Sequence, residues 1–364
     1  MSILYNLLMA GVDLATVWLF RARPTPPRWF AALCGAAVAA MLLAAVIGFS
    51  QRHNGAAHFA VFRLAAYGIY VHGVLLLAVF GVLLWKSSDS RRKATLSVVS
   101  LLLAAVLSGV AGYAFLVEPH WLEVTRREFV SEKVARPVKV VVVADIQTDG
   151  AGDYEREVFR RVAEEQPDLL LFAGDYVQVP WEKQAAIWAD LRPLIRDVVE
   201  HGLAPGGRAF AIRGNVDGPD WENMFDGLGV QTVNAGKAIE LESLGVSLTC
   251  LGWTESVQTG LIVARPRADR LHIVMGHSPN FALGQIDADL LIAGHTHGGQ
   301  VRLPGIGPLI THARVPHSWA AGQTELPGGG TLLVSRGLGM ERGHAPQLRF
   351  LCRPELMVIE LLPK

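Results

Sequence analysis

The sequence predicts two regions of different class: N-terminal all-α transmembrane helices over residues 1–117, and an α/β domain over 138–364, joined by a short amphipathic linker at 118–137. Three observations lead there. Long apolar runs crowd the first third of the chain. From Val138 onward, short β-branched runs alternate with amphipathic stretches. Mean hydropathy is positive, which is unusual for a purely soluble protein. The chain has 364 residues, enough for two domains and for a soluble domain with a real core. Lys plus Arg and Asp plus Glu are 33 each, so no basic excess argues for nucleic acid, and none is expected as a partner. Cys34, Cys250 and Cys352 form no CxxC pair or zinc-type cluster and read as structural thiols.

Apolar runs fall at about 3–20, 30–50, 64–85 and 95–117, each near the length that a helix needs to cross the hydrocarbon core. That gives about four spans. The first is interrupted by Asn6 and Asp13, and a charge in mid-membrane costs a few kcal/mol. The second has no charge and many small residues, which suits close helix packing. Arg63 and His72 lie at the start of and within the third; snorkelling and a helix–helix hydrogen bond are their ordinary roles. Arg21, Arg23 and Arg28 lie in the first connecting loop, Arg52 in the second, and Lys86, Arg91, Arg92 and Lys93 in the third. The positive-inside rule then makes the protein a multi-pass protein of the cell inner membrane with its second domain on the extracytoplasmic face. Arg126, Arg127, Lys133 and Arg136 beyond the last span oppose this, interleaved with Glu123, Glu128 and Glu132.

In the α/β domain VKVVVVA, DLLLFAG and RAFAIRG are continuous apolar runs separated by the helical patterns EREVFRRVAEE and Trp181 to Val199. Such runs are buried strands. The later runs VSLTCLG, LHIVMG, DLLIAG, GTLLVS and ELMVIEL are closer together and suggest a second sheet.

Polar residues stand where these strands stop. Asp145 ends the first strand; Asp175 follows the second in AGDY; Asn215 and Asp217 follow the third in RGNVD. His277 follows LHIVM, and His295 and His297 follow LLIAG in GHTHGG. A lone Asp or His there would be a cap or a satisfied core residue. Carboxylates, an amide and three imidazoles on five consecutive strand ends, each beside a glycine or small residue, are hard to explain as caps. Open α/β sheets place their sites at this edge. The set suits a pair of divalent ions that clamps the attacking and leaving oxygens of an in-line displacement and activates water at neutral pH.

In this order the motifs resemble the calcineurin-like metallophosphoesterase superfamily, whose pattern reads DxH, GD, GNH(D/E), H, GHxH. The match covers about 138–364, and GHTHGGQVRLPGIGPL, SRGLG and RFLCRPELMVIEL are similar to its membrane-anchored bacterial branch. The resemblance implies a four-layer αββα sandwich. It implies one metal held by Asp145, Gln147, Asp175 and His297, and another held by the bridging Asp175 with Asn215, His277 and His295. Asn215 and Asp217 are the residues assigned to the reaction itself, Asp217 by orienting a neighbouring ligand or water, with helix capping ahead of PDWENMF as the alternative.

Two positions depart from the pattern. Gln147 stands in place of the DxH histidine and offers a neutral carbonyl oxygen, so the first site leans from zinc towards manganese or magnesium; two divalent ions, manganese or magnesium, are expected, with iron or zinc as the alternatives. Gln147 pointing away from a mononuclear site is the alternative. Val216 stands in place of the GNHD histidine and can neither donate a proton nor hydrogen-bond a phosphoryl oxygen. General acid help is worth about 10²- to 10⁴-fold and matters most for poor leaving groups, so a phosphoanhydride or activated ester is favoured over an alkyl monoester. The resembling enzymes that hydrolyse UDP-2,3-diacylglucosamine lack this histidine in some branches.

Asp149 reads as a turn residue or a substitute ligand; Arg213 and Arg336 as phosphate binders or surface ion pairs; His312, His317 and His344 as candidates for the missing acid. The expected activity is metal-dependent hydrolysis of a phosphorylated or pyrophosphorylated substrate, the anchor in the lipid bilayer suggesting a lipid. A UDP-linked lipid A precursor is cytoplasmic, which conflicts with an outward-facing domain and makes a polyprenyl or phospholipid phosphate the more natural target. The alternative is a catalytically degenerate protein that binds metal or a partner.

Overall fold

A computed structural model describes residues 2–22, 55–87 and 89–364. The chain divides into two compact units: Met1–Leu116 with Gly343–Gln347, and Val117–Arg342 with Leu348–Lys364.

The described N-terminal residues of the first unit are mostly helical. Ser2–Ala22 is one helix; Gly55–Tyr67 continues through a π-helical segment, Gly68–Gly73, into Val74–Lys86; Arg91–Gly112 continues through a second π segment, Tyr113–Val117. Ser90 starts the Arg91 helix by accepting the Lys93 backbone N–H on its hydroxyl. Gly81 lets the last two helices approach, since a Cβ there would lie 2.7 Å from Leu101 Cγ, and the Ser97 hydroxyl donates to the Gly81 carbonyl at 2.6 Å. Phe59–Lys86 and Arg91–His120 are long and apolar enough to cross a membrane; the apolar helix Ile3–Trp18 is shorter. The span expected at 30–50, with Cys34 and the loop residues Arg23, Arg28 and Arg52, lies outside the described residues.

The polar residues that interrupt the apolar runs find one another. His72 lies within 2.7 Å of Asp13 Oδ2 through Nδ1 and within 3.0 Å of Asn6 Oδ1 through Nε2, and Tyr5 packs edge-on to its ring. A helix–helix hydrogen bond is therefore what His72 makes.

The second unit is built on two six-stranded mixed sheets. In spatial order the first takes Glu123–Ser131, Glu355–Pro363, Val138–Val143, Leu169–Phe172, Arg208–Ile212 and Val230–Val233. The second takes Gly322–Glu325, Thr331–Val334, Leu290–Ala293, Leu271–Met275, Val246–Cys250 and Lys237–Leu241. Val138–Val143, Leu169–Phe172 and Arg208–Ile212, the three strands before the site-bearing loops of the first sheet, run parallel, as continuous apolar runs with intervening helices require, and Val230–Val233 joins them in parallel.

Two expectations need correction. The stretch 118–137 is not a linker: Glu123–Ser131 is an edge strand, paired parallel to Glu355–Pro363 from Glu123↔Glu355 to Ser131↔Pro363. Its alternation of exposed polar and half-buried residues is the period-two pattern of an edge strand, and Arg126 secures it with a bidentate pair to Glu165, both contacts 2.7 Å. ELMVIEL, grouped above with the second sheet, enters the first, antiparallel to Val138–Val143. Sequence spacing groups neighbours along the chain, whereas this strand returns across the whole domain.

The sheets pack face to face. Val140, Val142, Leu169, Leu171, Phe210 and Ile212 of the first meet Val246, Leu248, Ile273, Met275, Ile292 and Leu333 of the second in one buried core. The other face of the first sheet is covered by helices Asp153–Glu165 and Trp181–Asp197 through Val158, Phe159, Leu191 and Ile195. Over the outer face of the second sheet lie Phe281 and Leu251, from short helical turns and loops. The αββα expectation thus holds for three layers, while among the described residues the fourth is made of short turns and not of long helices.

Candidate metal centre

The strand ends deliver their side chains to one place. Asp145 and Gln147 follow Val138–Val143, Asp175 follows Leu169–Phe172, Asn215 follows Arg208–Ile212, His277 follows Leu271–Met275, and His295 and His297 follow Leu290–Ala293. The loops are tied together by backbone: the Asp145 N–H donates to the Gly174 carbonyl at 3.0 Å and the Gln147 N–H to the Asp175 carbonyl at 2.9 Å. Asp145, Gln147, Asp175, His295 and His297 all have left-handed φ, between 36° and 72°. For a residue with a Cβ this costs on the order of 1 kcal/mol or more each, and such strain concentrates at functional sites. Gly174 makes room for it: at φ +92°, a Cβ there would lie 2.6 Å from Gly214 N and 2.7 Å from His277 Nδ1.

One ligand atom from each of Asp175, His277 and His295 lies within 4.8 Å of the others. His277 Nε2 is 3.2 Å from both Asp175 Oδ2 and Asn215 Oδ1. His277 Nδ1 lies 2.7 Å from the Ala173 carbonyl, and His295 Nε2 3.3 Å from the His312 carbonyl. A carbonyl can only accept, so each contact holds a proton on that nitrogen and leaves the other as the ligand atom. Asp145 accepts the His295 N–H on both oxygens, at 2.9 and 3.0 Å, and Asp175 Oδ1 accepts the Val216 N–H at 2.9 Å. Trp253 closes the side of the cluster, its ring 5.6 Å from His277 and 5.4 Å from His295.

The electrostatics are those of groups crowded out of water. Burial pushes the Asp145 carboxyl up to about 7 despite His277, with Asp175 adding to the rise. Burial alone would lower His277, but Asp175 and Asp145 outweigh it and raise it to about 9. Burial, and then the charge on His277, lower His295 to about 4.

Two buried side-chain atoms of these candidate ligands have no hydrogen-bond partner: Gln147 Oε1, on a side chain with no exposure, and His297 Nε2. Buried polar atoms are normally hydrogen-bonded, so orphans beside a carboxylate–imidazole cluster are what a cation would satisfy. Carboxylate, amide and imidazole donors together suit a divalent ion of borderline hardness. The residues fit the metal that the sequence implies.

Other expected site residues go elsewhere. Asp217 does not face the cluster, and no helix is capped by it: its carboxylate accepts the backbone N–H groups of Asp175, Tyr176 and Gly214 at 2.9, 2.8 and 2.8 Å. These bonds tie it to the backbone of the neighbouring candidate ligand, Asp175. Asp149 pairs with Arg342 at 2.6 Å, and Arg336 with Glu123 and Glu355 at 2.9 and 3.2 Å, which are the turn and ion-pair readings. Arg213 donates to the Asp217 carbonyl. Of the three loop histidines, His312 has the backbone that touches a candidate ligand. Sequence reasoning missed Trp253, Glu341 and Arg349. Trp253 also follows a strand end, that of Val246–Cys250, which was the available signal. Arg349 is fully buried, donating to the carbonyls of Gly339, Cys352 and Arg336 at 2.9, 2.9 and 2.7 Å, and nothing in its sequence position announces that.

Fold and site together define an α/β sandwich with a candidate metal centre at its strand ends. The sequence model of the calcineurin-like phosphoesterases matches residues 138–299. An uncharacterized metallophosphoesterase of Bacillus subtilis strain 168, YkuE, is 31% identical over 298 residues, covering 75% of this chain and 97% of that one. The phosphodiesterase YaeI of Escherichia coli K12 is 29% identical, covering 69% and 92%, and an uncharacterized metallophosphoesterase of Aquifex aeolicus is 25% identical, covering 71% and 98%. The chain belongs to the calcineurin-like metallophosphoesterase family, and metal-dependent phosphoester hydrolysis is the activity that this membership supports.

Proposed function

We propose that the protein is a membrane-anchored phosphoesterase that hydrolyses a phosphate ester or phosphoanhydride with a good leaving group, with two divalent ions, manganese or magnesium, at the strand ends. The observation that carries this is the convergence of Asp175, His277 and His295 within 4.8 Å beside two buried atoms without partners. Asp145, Gln147, Asp175 and His297 would hold one ion, and Asp175, Asn215, His277 and His295 the other. The ions supply Lewis-acid polarisation of the phosphoryl oxygens and activation of the attacking water.

The chain's own residues do the rest. The carbonyls of Ala173 and His312 hold the imidazole tautomers, and Asp217 holds the backbone around Asp175 by accepting the N–H groups of Asp175, Tyr176 and Gly214. Trp253 walls the cluster and excludes water from one side. Val216 offers the leaving group no proton, which favours pyrophosphate-linked or activated substrates. The two long apolar helices support anchoring, and with it a phosphorylated lipid, of polyprenyl or phospholipid type, as substrate. The loop charges favour an extracytoplasmic domain; a reporter fused after Lys364 tests that side.

The test of the activity is manganese-dependent turnover of an activated phosphodiester by the purified full chain, lost in Asp175→Asn. Absence of any metal-dependent difference would overturn the proposal in favour of a degenerate binding protein. A pyrophosphate-linked lipid should then turn over faster than an alkyl phosphate; the reverse order sinks the leaving-group argument.

A further inference from the structure

We infer that Glu341 is a positioning residue for metal binding: its carboxylate fixes the side-chain amide of Gln147 so that the oxygen, and not the nitrogen, is presented to the first ion. The inference rests on the two-metal reading above.

An amide side chain has an oxygen that can ligate a cation and a nitrogen that cannot, so which end faces the site decides whether residue 147 is a ligand at all. Histidine, the family's residue here, can ligate through either ring nitrogen, whereas an amide has only one end that can. The glutamine therefore needs something to choose its orientation. Glu341 Oε2 accepts from Gln147 Nε2 at 3.2 Å, and an ionised carboxylate can only accept. Nε2 also lies 3.5 Å from Asp175 Oδ2, too far for a strong bond. The end left over, Oε1, is buried with no partner.

Glu341 is itself held so that it can impose this choice. Its other oxygen accepts from Gln178 Nε2 at 2.5 Å, and its backbone N–H donates to Gln300 Oε1. The next residue repeats the pattern: the Arg342 N–H donates to Gln178 Oε1 at 2.5 Å, and the Arg342 guanidinium donates to the Gln147 carbonyl at 2.5 Å. Glu341 and Arg342 thus grip the side chain and the backbone of the one position where the chain departs from an imidazole ligand. The arrangement is the amide counterpart of the carboxylate that orients a metal-binding histidine from behind, whose removal typically costs 10- to 100-fold in metal affinity.

The experiment is manganese binding to the purified full chain in detergent, by calorimetry and electron paramagnetic resonance, for wild type, Glu341→Ala, Gln147→Ala and the double variant, with thermal melts to verify folding. Wild type should bind two ions. Glu341→Ala should weaken one of them about 10- to 100-fold and leave the other unchanged. Because Glu341 acts only through Gln147, the double variant should bind that ion no more weakly than Gln147→Ala alone. Glu341→Asp, which keeps the acceptor, should recover part of the affinity. Additive losses in the double variant would overturn the inference, since Glu341 would then contact the ion directly; so would unchanged affinity in Glu341→Ala. A wild-type chain that binds no ion overturns the two-metal reading and the inference with it.

Discussion

Among the described residues the protein brings histidine, carboxylate and amide together in two places, and treats them differently. In the helical unit both ring nitrogens of His72 are taken, by Asp13 and Asn6, and the residues sit in right-handed helical backbone. At the strand ends His297 Nε2 and Gln147 Oε1 are left without partners, and five candidate ligands adopt left-handed φ. One oxygen of Asp13 also lacks a partner, so a single orphan does not make a site. The difference lies in convergence and strain. Helical backbone costs nothing special, and polar groups on it pair wherever they meet. Strand-end backbone held in a disfavoured conformation persists only where surrounding structure imposes it, and here it aims several unspent donor atoms at one volume.

The sharpest way to break the comparison is at the residue shared by both proposed ions. Asp175→Asn keeps the shape and removes the charge, and should lower metal-dependent kcat by about 10³-fold, the scale on which principal charge-stabilising groups act. Stability should hardly suffer, since Oδ1, which accepts the Val216 N–H, is retained. Equal turnover in this variant and wild type would reduce the strand-end cluster to the status of the helical trio. Next in size is Gly174→Ala. Its Cβ would collide with Gly214 N and His277 Nδ1 at a φ of +92°, so a loss of about 2 kcal/mol or more in unfolding free energy is expected, with metal affinity falling alongside. Denaturant titration with and without manganese checks both.

Much of this contrast was legible in the sequence, for identifiable reasons. Strands buried on both faces are continuous apolar runs, so their ends are visible, and Asp145, Asp175, Asn215, His277 and His295 stand there. What was hidden depended on contacts made far along the chain. Glu123–Ser131 read as a linker because a half-polar edge strand declares itself only through its partner, Glu355–Pro363, more than 200 residues away. Asp217 stood next to the ligand set and looked like a member, but its oxygens are spent on backbone N–H groups that no motif reveals. Glu341 lies in a loop with no motif of its own and meets Gln147 only through the return of the chain.

Asp217 lets the comparison be sharpened at intermediate scale. Asp217→Asn would set an amide N–H₂ against at least one of the three donors it now accepts, leaving a buried N–H unsatisfied at a cost of about 1–3 kcal/mol. If its work is to hold Asp175, the variant should weaken manganese binding together with stability. Turnover lost with stability and binding intact would instead return Asp217 to the reaction itself.

The smallest effect is expected in the helical unit, and it decides whether the two clusters are different in kind. His72→Leu keeps the apolar character of the helix and removes both hydrogen bonds to Asp13 and Asn6. Interhelical hydrogen bonds in membranes average well under 2 kcal/mol, because the separated helices find other partners. A loss of about 1 kcal/mol in the detergent-solubilised protein is therefore the expected outcome, read as a lowered midpoint in a thermal melt. Manganese stoichiometry and kcat should match wild type, because every donor atom of His72 is already used within its own trio. A change in kcat at unchanged stability would mean that the trio does more than join helices, and that saturated hydrogen bonding fails as a criterion for telling structural polar clusters from functional ones in this protein.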